Sequence, residues 1–154
     1  MRISDILQEE RIKVNLISKS KLDVIKELVD LIGNSDSVLD HKDVLNSIIE
    51  REKAMSTGIG NGVAIPHGKC TGVKSMVGSL GIVKEGIPFD SIDGKPVNIV
   101  FTLIAPVGPS GPHIKALSIV SRILNSNDTR KRLLNCNTPK EVVSLLEHEE
   151  KKYI

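Results

Sequence analysis

The chain of 154 residues is poor in aromatic side chains, with no tryptophan, one tyrosine and two phenylalanines. Proteins that bind single-stranded nucleic acid stack bases on aromatic side chains, so this composition argues against that class. The hydrophobic core must instead be built from isoleucine, valine and leucine. The length is that of one ordinary domain, and we predict a single domain over residues 1–154.

The sequence also has no large excess of positive or negative charge. Lysine and arginine number 21 and aspartate and glutamate 19, which gives a formal net charge of +2. The densest basic run, Arg130-Lys131-Arg132, is typical of a solvated helix face. Without a basic patch, we expect no nucleic-acid partner.

Cysteines and long apolar runs are scarce. Cys70 and Cys136 are the only thiols and lack CxxC spacing, so we expect two reduced cysteines, with a redox or catalytic role left open for Cys70. No apolar stretch approaches the roughly 18 residues of a membrane span. Charges interrupt the N-terminal MRISDILQEERIK, which is unlike a signal peptide. We therefore expect a cytoplasmic protein with no direct membrane insertion.

The hydrophobic pattern predicts strands in the middle of the chain and helices at both ends. Ser20, Asp40 and Thr138 are suited to cap helices, and Arg51 falls near the end of the second helix. We predict an α/β fold, a single-domain sandwich with a central mixed β-sheet flanked by helices on both faces. The predicted strands are 11–17, 63–65, 76–83 and 97–105, and the predicted helices are 20–32, 40–51, 111–125, 128–135 and 139–149.

The most informative segment runs from Arg51 to Lys69 and reads REKAMSTGIGNGVAIPHGK. Its glycines leave room around His67, which follows a short apolar run. Two phosphate-loop motifs nearly match and fail: Cys70 replaces the serine or threonine of a Walker loop, and Val63 replaces the last glycine of GxGxxG. No histidine pair has HxH or HxxxH spacing, so the sequence lacks a local metal signal, although ligands could converge in space.

These residue types favour a nucleophilic or acid/base role for His67, and phosphoryl transfer is one reaction that would suit them. A neutral imidazole is a good nucleophile near pH 7. Phosphoryl transfer depends mainly on positioning and positive charge, and Arg51 could supply that charge. We predict that Ser56, Thr57, Gly58 and Asn61 bind the phosphoryl group through hydroxyl and amide groups.

His113 is the natural second histidine. It is predicted in the first turn of a helix, where the helix dipole disfavours imidazolium. A neutral His113 could then donate a hydrogen bond to a phosphoryl oxygen on His67. The alternative is a surface histidine near a helix start, and we interpret His41 and His148 as solvated.

Three stretches resemble one known family. RExxxSTGIGNGVAIPHGK, IPFDSIDGKPVNIVFTLIAP and HIKALSIVSRIL are similar to the enzyme IIA domains of the phosphoenolpyruvate-dependent sugar phosphotransferase system. The subgroup is the fructose/mannitol type, which includes the nitrogen-regulatory enzyme IIA proteins. The resemblance implies an α/β sandwich in which His67 accepts a phosphoryl group from the histidine phosphocarrier HPr and passes it to a cysteine of an enzyme IIB component. It also implies active-site roles for Arg51 and His113, and no cofactor.

The resemblance leaves two roles open. Some transport members have an acidic residue six positions before the active histidine, where this chain has Asn61. The sequence therefore predicts either a sugar-transport phosphocarrier or a regulatory protein whose phosphorylation state controls protein partners. A histidine-dependent hydrolase or a metal enzyme is a further alternative.

Overall fold

The computed structural model describes residues 2–153, which form one six-stranded mixed sheet with helices on both faces. The predicted α/β sandwich is confirmed; Met1 and Ile154 of the predicted 1–154 domain lie outside the described residues. The helices are α1 (Ile3–Ile6), α2 (Lys21–Ile32), α3 (His41–Ala54), α4 (Gly111–Leu124), α5 (Asn127–Leu134) and α6 (Pro139–Glu150), and the strands are β1 (Ile12–Lys13), β2 (Gly58–Gly60), β3 (Val63–Ala64), β4 (His67–Cys70), β5 (Val77–Ile87) and β6 (Val97–Pro106).

Strand β6 organises the sheet. One edge of β6 pairs with β5 in the antiparallel direction, and β5 in turn pairs with β1 in parallel. Along the other edge, β3 and β4 lie one after the other, and both run parallel to β6. The short strand β2 completes the order by pairing antiparallel with β3. The sheet is therefore mixed.

Two hydrophobic cores lie on opposite faces of the sheet. Ile99, Phe101 and Leu103 of β6 belong to the core that includes residues of α1, α4, α5 and α6. Val100 and Ile104 belong to the core that includes residues of α2 and α3. Because alternate side chains of a strand point to opposite faces, a strand covered on both sides is apolar at nearly every position. This explains why β6 was predicted correctly from its apolar run.

The helix starts follow local capping chemistry. Each predicted cap accepts a hydrogen bond from the backbone N–H three residues later, which satisfies one donor that the first turn leaves free. The N–H groups of Asp23, Asp43 and Glu141 donate to the side chains of Ser20, Asp40 and Thr138 respectively, each at 3.2 Å.

The strand predicted over residues 11–17 is much shorter in the structure. Only Ile12–Lys13 pairs as a strand, and Arg11 ends a 3₁₀ turn. The Arg11 side chain is buried, and its Nε donates to the carbonyl of Gly78 at 3.1 Å. Burial still alternates from Ile12 to Ile17 as predicted, and the Leu16 N–H donates to the Ile82 carbonyl at 3.0 Å, but the regular strand ends at Lys13. Conversely, β5 extends past the predicted Val83 to Ile87.

The glycine-rich segment, predicted as a loop, forms a hairpin between β2 and β3. Gly60, Asn61 and Gly62 have φ angles of 97°, 58° and 79°, in the left-handed region that favours glycine and tolerates asparagine. The glycines thus serve the turn. Within the part of the chain that the structure describes, no helix is long and apolar enough to cross a bilayer.

Candidate functional site

His67 is the first residue of β4, and the sheet register decides which way it faces. It pairs with Leu103 of β6, and paired residues of neighbouring strands share a face of the sheet. Leu103 belongs to the core that contains residues of α4. The imidazole is therefore half-buried on the α4 side of the sheet.

The glycine after His67 allows β4 to lie against α3. A Cβ atom at Gly68 would come within 2.5 Å of Ser47 Oγ and 3.2 Å of the Ser47 carbonyl carbon. A residue with a Cβ atom cannot fit at position 68 unless α3 or β4 moves. Gly68 therefore fixes the depth at which β4, and with it His67, lies in the fold.

A backbone carbonyl sets the tautomer of His67. The Nδ1 atom lies 2.8 Å from the carbonyl oxygen of Ile65. A carbonyl only accepts hydrogen bonds, so Nδ1 carries the hydrogen and donates. The neutral ring consequently has its lone pair on Nε2, which makes Nε2 the nucleophilic atom.

His67 lines a cleft of about 560 Å³. Arg51, at the C-terminal end of α3, lines the same cleft, and its Nη1 donates to the carbonyl of Met55 at 2.8 Å. The cleft has apolar residues at its mouth, since Met55 is 71% exposed and Ile92 is 84% exposed. The arrangement combines one cation and one imidazole with an apolar rim.

His113 completes a pair of histidines. It lies in the first turn of α4, as predicted, but is buried, with 7% of its surface exposed. Its ring centroid is 5.7 Å from that of His67, and the two rings meet edge to face at 68°. Its Nε2 has no hydrogen-bond partner among residues 2–153. A buried polar atom without a partner is rare in folded proteins and is a candidate contact for a ligand.

Lys69 holds the chain that leads into α4. Its side chain is on the same face of β4 as His67, two residues away. The Nζ atom donates to the carbonyl of Gly108 at 2.8 Å and to the hydroxyl of Ser110 at 2.9 Å. These contacts connect the strand that carries His67 to the helix that carries His113.

Burial favours the neutral form of both histidines. Burial lowers the pKa of His67 below its ordinary 6.5, and Arg51 lowers it further, while the Ile65 carbonyl and Glu52 raise it. Burial also lowers the pKa of His113, with contributions from His67 and Lys69. The neutral state of His113 was predicted from the helix dipole, but burial is its main cause in the structure.

Three of the four predicted phosphoryl-binding residues lie in the cleft. Their hydrogen-bond donors, however, already bind acceptors of the protein itself. Ser56, Thr57 and Gly58 line it. The Ser56 hydroxyl donates to the Phe89 carbonyl at 2.7 Å and accepts from the Gly58 N–H at 3.1 Å. Both donors of Thr57 bind the carboxylate of Glu52. These residues thus form a fixed wall of the cleft.

Asn61, the fourth predicted phosphoryl-binding residue, lies elsewhere. It is at the tip of the β2–β3 hairpin, and its backbone N–H donates to Asp93 at 3.0 Å. It lines a separate cavity with Asn98 and Arg130. A turn that requires left-handed backbone explains this asparagine without a ligand.

Sequence reasoning missed the buried ion pair of Lys21 and Glu52, whose Nζ and Oε2 atoms are 2.9 Å apart. A local signal for it exists in α3. Val44, Ile48 and Glu52 are spaced by four residues, so the carboxylate falls on the buried stripe of the helix. In the described part of the chain, no three histidine, cysteine, aspartate or glutamate residues are placed to hold a metal ion.

Comparison with known proteins shows the family to which the chain belongs. Residues 5–149 match the family described as "Phosphoenolpyruvate-dependent sugar phosphotransferase system, EIIA 2", and the chain is therefore a member of it. The resemblance noted in the sequence is confirmed. Members of this family are components of a phosphotransferase system.

Individual relatives include both transport and regulatory proteins. The fructose-specific EIIABC component of Bacillus subtilis is 34% identical over 151 residues, which are 98% of this chain but only 24% of that longer protein. The nitrogen regulatory protein IIA-Ntr of Neisseria meningitidis superposes with a TM-score of 0.87 at 35% identity, covering 94% of this chain and 98% of that one.

A second solved structure shares the fold. It is the complex of enzyme IIA-mannitol with phosphorylated enzyme IIB-mannitol from Escherichia coli. The TM-score is 0.78 at 20% identity, and the match covers 91% of this chain and 96% of that one. At this identity the likeness shows the fold alone.

Proposed function

We propose that this protein is a phosphocarrier in which His67 Nε2 accepts a phosphoryl group and later donates it. The observation that carries the proposal is the hydrogen bond between Nδ1 and the Ile65 carbonyl, because it leaves the lone pair on Nε2. The family supplies the system, and the cleft supplies a cation beside the nucleophile.

In the first transfer the donor is an HPr-type histidine phosphocarrier. The Nε2 lone pair attacks the phosphorus atom of the donor's phosphohistidine. The donor's P–N bond breaks, and its electron pair returns to the donor ring. His67 keeps the hydrogen on Nδ1, so its phosphorylated ring carries a positive charge that the Ile65 carbonyl stabilises.

In the second transfer the acceptor is a cysteine of an enzyme IIB component. The thiolate sulfur attacks the phosphorus atom, the P–Nε2 bond breaks, and its electrons return to the imidazole. A positively charged ring is a better leaving group than a neutral one would be. The EIIABC relative joins A, B and C components in one chain, which supports a B component as acceptor.

Arg51 and His113 act on the transferring group. Negative charge is spread over the phosphoryl oxygens in the transition state, and a preorganised cation stabilises it. We assign this role to the Arg51 guanidinium. His113 provides a buried ring nitrogen without a partner, and we propose that a phosphoryl group on His67 becomes that partner.

The apolar rim of the cleft is the proposed docking surface. Met55, Ile59 and Ile92 are exposed and line the cleft that contains His67. Both partners must bring a phosphorylated or nucleophilic side chain to the same atom, so one surface serves both. We propose a cytoplasmic location, because phosphoenolpyruvate, the ultimate donor, is made there.

Incubation with phosphoenolpyruvate, enzyme I and HPr tests the proposal. We expect one acid-labile phosphoryl group per chain by intact mass spectrometry, and none in His67→Ala. His148→Ala, on the exposed part of α6, is the matched control and should be phosphorylated normally. Phosphorylation that persists in His67→Ala would refute the assignment.

A regulatory role is the second candidate, favoured by the nitrogen regulatory relative that matches this chain over almost its full length. Phosphorylation would then add charge at the cleft and change affinity for a protein target. Discharge of the phosphorylated chain onto fructose- and mannitol-type IIB domains separates the two roles. Rapid discharge supports transport, and a stable phosphoprotein supports regulation.

A further inference from the structure

A carboxylate is buried beside the cleft. Glu52 follows Arg51 in α3 and is only 7% exposed. Its Oε1 accepts a hydrogen bond from the Thr57 hydroxyl, and its Oε2 accepts from the Thr57 backbone N–H at 2.8 Å. Oε2 is also 2.9 Å from Lys21 Nζ. Burying a carboxylate without such partners is costly, so these contacts keep the charge inside the fold.

The Lys21 side chain of this ion pair also contacts Phe89, which precedes a second segment of the cleft wall. Lys21 Nζ is 3.4 Å from the Phe89 carbonyl oxygen and 4.9 Å from the centroid of the Phe89 ring. The Phe89 carbonyl also accepts the hydroxyl of Ser56 at 2.7 Å. Asp90 and Ile92, which follow Phe89, line the cleft. One buried pair therefore connects both wall segments.

We infer that Glu52 is a positioning residue for the phosphoryl transfer proposed above, which this inference presupposes. Through Thr57 it fixes the 56–58 segment, and through Lys21 it fixes the 90–92 segment. The two segments then hold the cleft around His67 in one shape. Glu52 itself does not line the cleft and does not touch the reacting atoms.

The position of Glu52 argues for more than stability. Buried ion pairs can often be replaced by neutral residues without loss of stability, so a need for stability alone does not explain this one. Glu52 and Arg51 are adjacent and have opposite effects on the nucleophile, since Arg51 lowers and Glu52 raises the pKa of His67. Glu52 uses both carboxylate oxygens to hold Thr57, which is a residue of the cleft wall.

Glu52→Gln tests the inference. The amide can accept only one of the two Thr57 donors, and it leaves the Lys21 ammonium with only the exposed carboxylate of Asp90, 3.7 Å away, as a counter-charge. We expect kcat for transfer from phospho-HPr to fall about 10- to 100-fold with little change in KM, because a displacement of about 1 Å near the reacting groups has effects of this size. A wild-type kcat in this variant would overturn the inference.

A double variant separates positioning from folding. Lys21→Met combined with Glu52→Gln removes the ammonium that has lost its close, buried counter-charge, so the melting temperature should recover. The Thr57 segment still lacks one acceptor, so kcat should remain low. Recovery of kcat together with stability would show that Glu52 is only a counter-charge for Lys21, and would overturn the inference.

Two further variants complete the design. Glu50→Gln is the matched control, because Glu50 is exposed on the same helix and should leave kcat unchanged. If Glu52→Gln does not fold, Thr57→Val keeps the ion pair and removes one hydrogen bond, and it should lower kcat. An unphosphorylated wild-type chain would refute the phosphocarrier function itself, whereas a phosphorylated wild type with an equally active Glu52→Gln would refute only the role of Glu52.

Discussion

Replacing Gly68 by alanine should destabilise the protein by a predictable amount. The new Cβ would lie 2.5 Å from Ser47 Oγ, 3.2 Å from the Ser47 carbonyl carbon and 3.3 Å from the Ile48 nitrogen. The hydroxyl can rotate away, but it then gives up its 3.0 Å hydrogen bond to the Lys69 carbonyl. The two backbone atoms can move only if α3 and β4 separate by a few tenths of an ångström.

The expected size follows from these contacts. Overpacking of this kind costs about 1–3 kcal/mol, and a lost hydrogen bond about 0.5–1.5 kcal/mol. The reduced entropy of the unfolded chain returns about 0.4–1 kcal/mol. The net loss is about 0.5–4 kcal/mol, which for a domain of this size lowers the melting temperature by about 1–16 °C.

Thermal unfolding followed by circular dichroism is the assay. Gly111→Ala is the matched control, because a Cβ there meets nothing within 4 Å and the change therefore reports the entropic gain alone. In a Ser47→Ala background, Gly68→Ala should have a smaller effect, since the closest atom is gone. A Gly68→Ala protein that melts as high as Gly111→Ala would refute the argument that Gly68 sets the depth of β4.

Four further predictions concern the histidines and thiols. His113→Ala should fold and transfer phosphoryl groups about 10²-fold more slowly, in rapid-quench assays with phospho-HPr; a wild-type rate would make His113 a bystander. The initial rate of phosphoryl uptake should fall on acidification with a midpoint below about pH 6.5, because burial lowers the pKa of His67 and imidazolium lacks the Nε2 lone pair. Stability should fall over the same acid range, since both histidines have a lowered pKa when folded and the unfolded chain binds more protons; a melting temperature that rises on acidification would contradict this. Burial raises the pKa of the Cys70 and Cys136 thiols, so iodoacetamide should modify them only after unfolding, as mass spectrometry would detect.

The helices could be predicted because their signals are local. Ser20, Asp40 and Thr138 each bond a backbone N–H three residues away, within the same turn. Strand β6 could also be predicted from the sequence, because a strand that is buried on both faces has a long apolar run. Strand β4 was not predicted, since its four residues pair only with the distant β6 and contain no periodicity of their own.

The candidate site was predicted in part. Arg51 and His67 were expected together from the resemblance, and both line one cleft. The hydroxyls of Ser56 and Thr57 were expected to face a phosphoryl group, but they donate instead to the carbonyl of the distant Phe89 and to the carboxylate of Glu52, which is buried at the end of α3. Sequence shows which donors exist, whereas the competition for them is decided by tertiary contacts.

The division of one sheet edge between β3 and β4 has a consequence for association. The interruption at Ile65 and Pro66 frees the Ile65 carbonyl to hold the His67 ring, while the strand on either side stays paired to β6. The nucleophile is thus immobilised before any partner arrives, and complex formation does not have to pay its rotamer entropy. Encounters can therefore be brief and weak and still be productive, which suits a protein that must release each partner in order to meet the next.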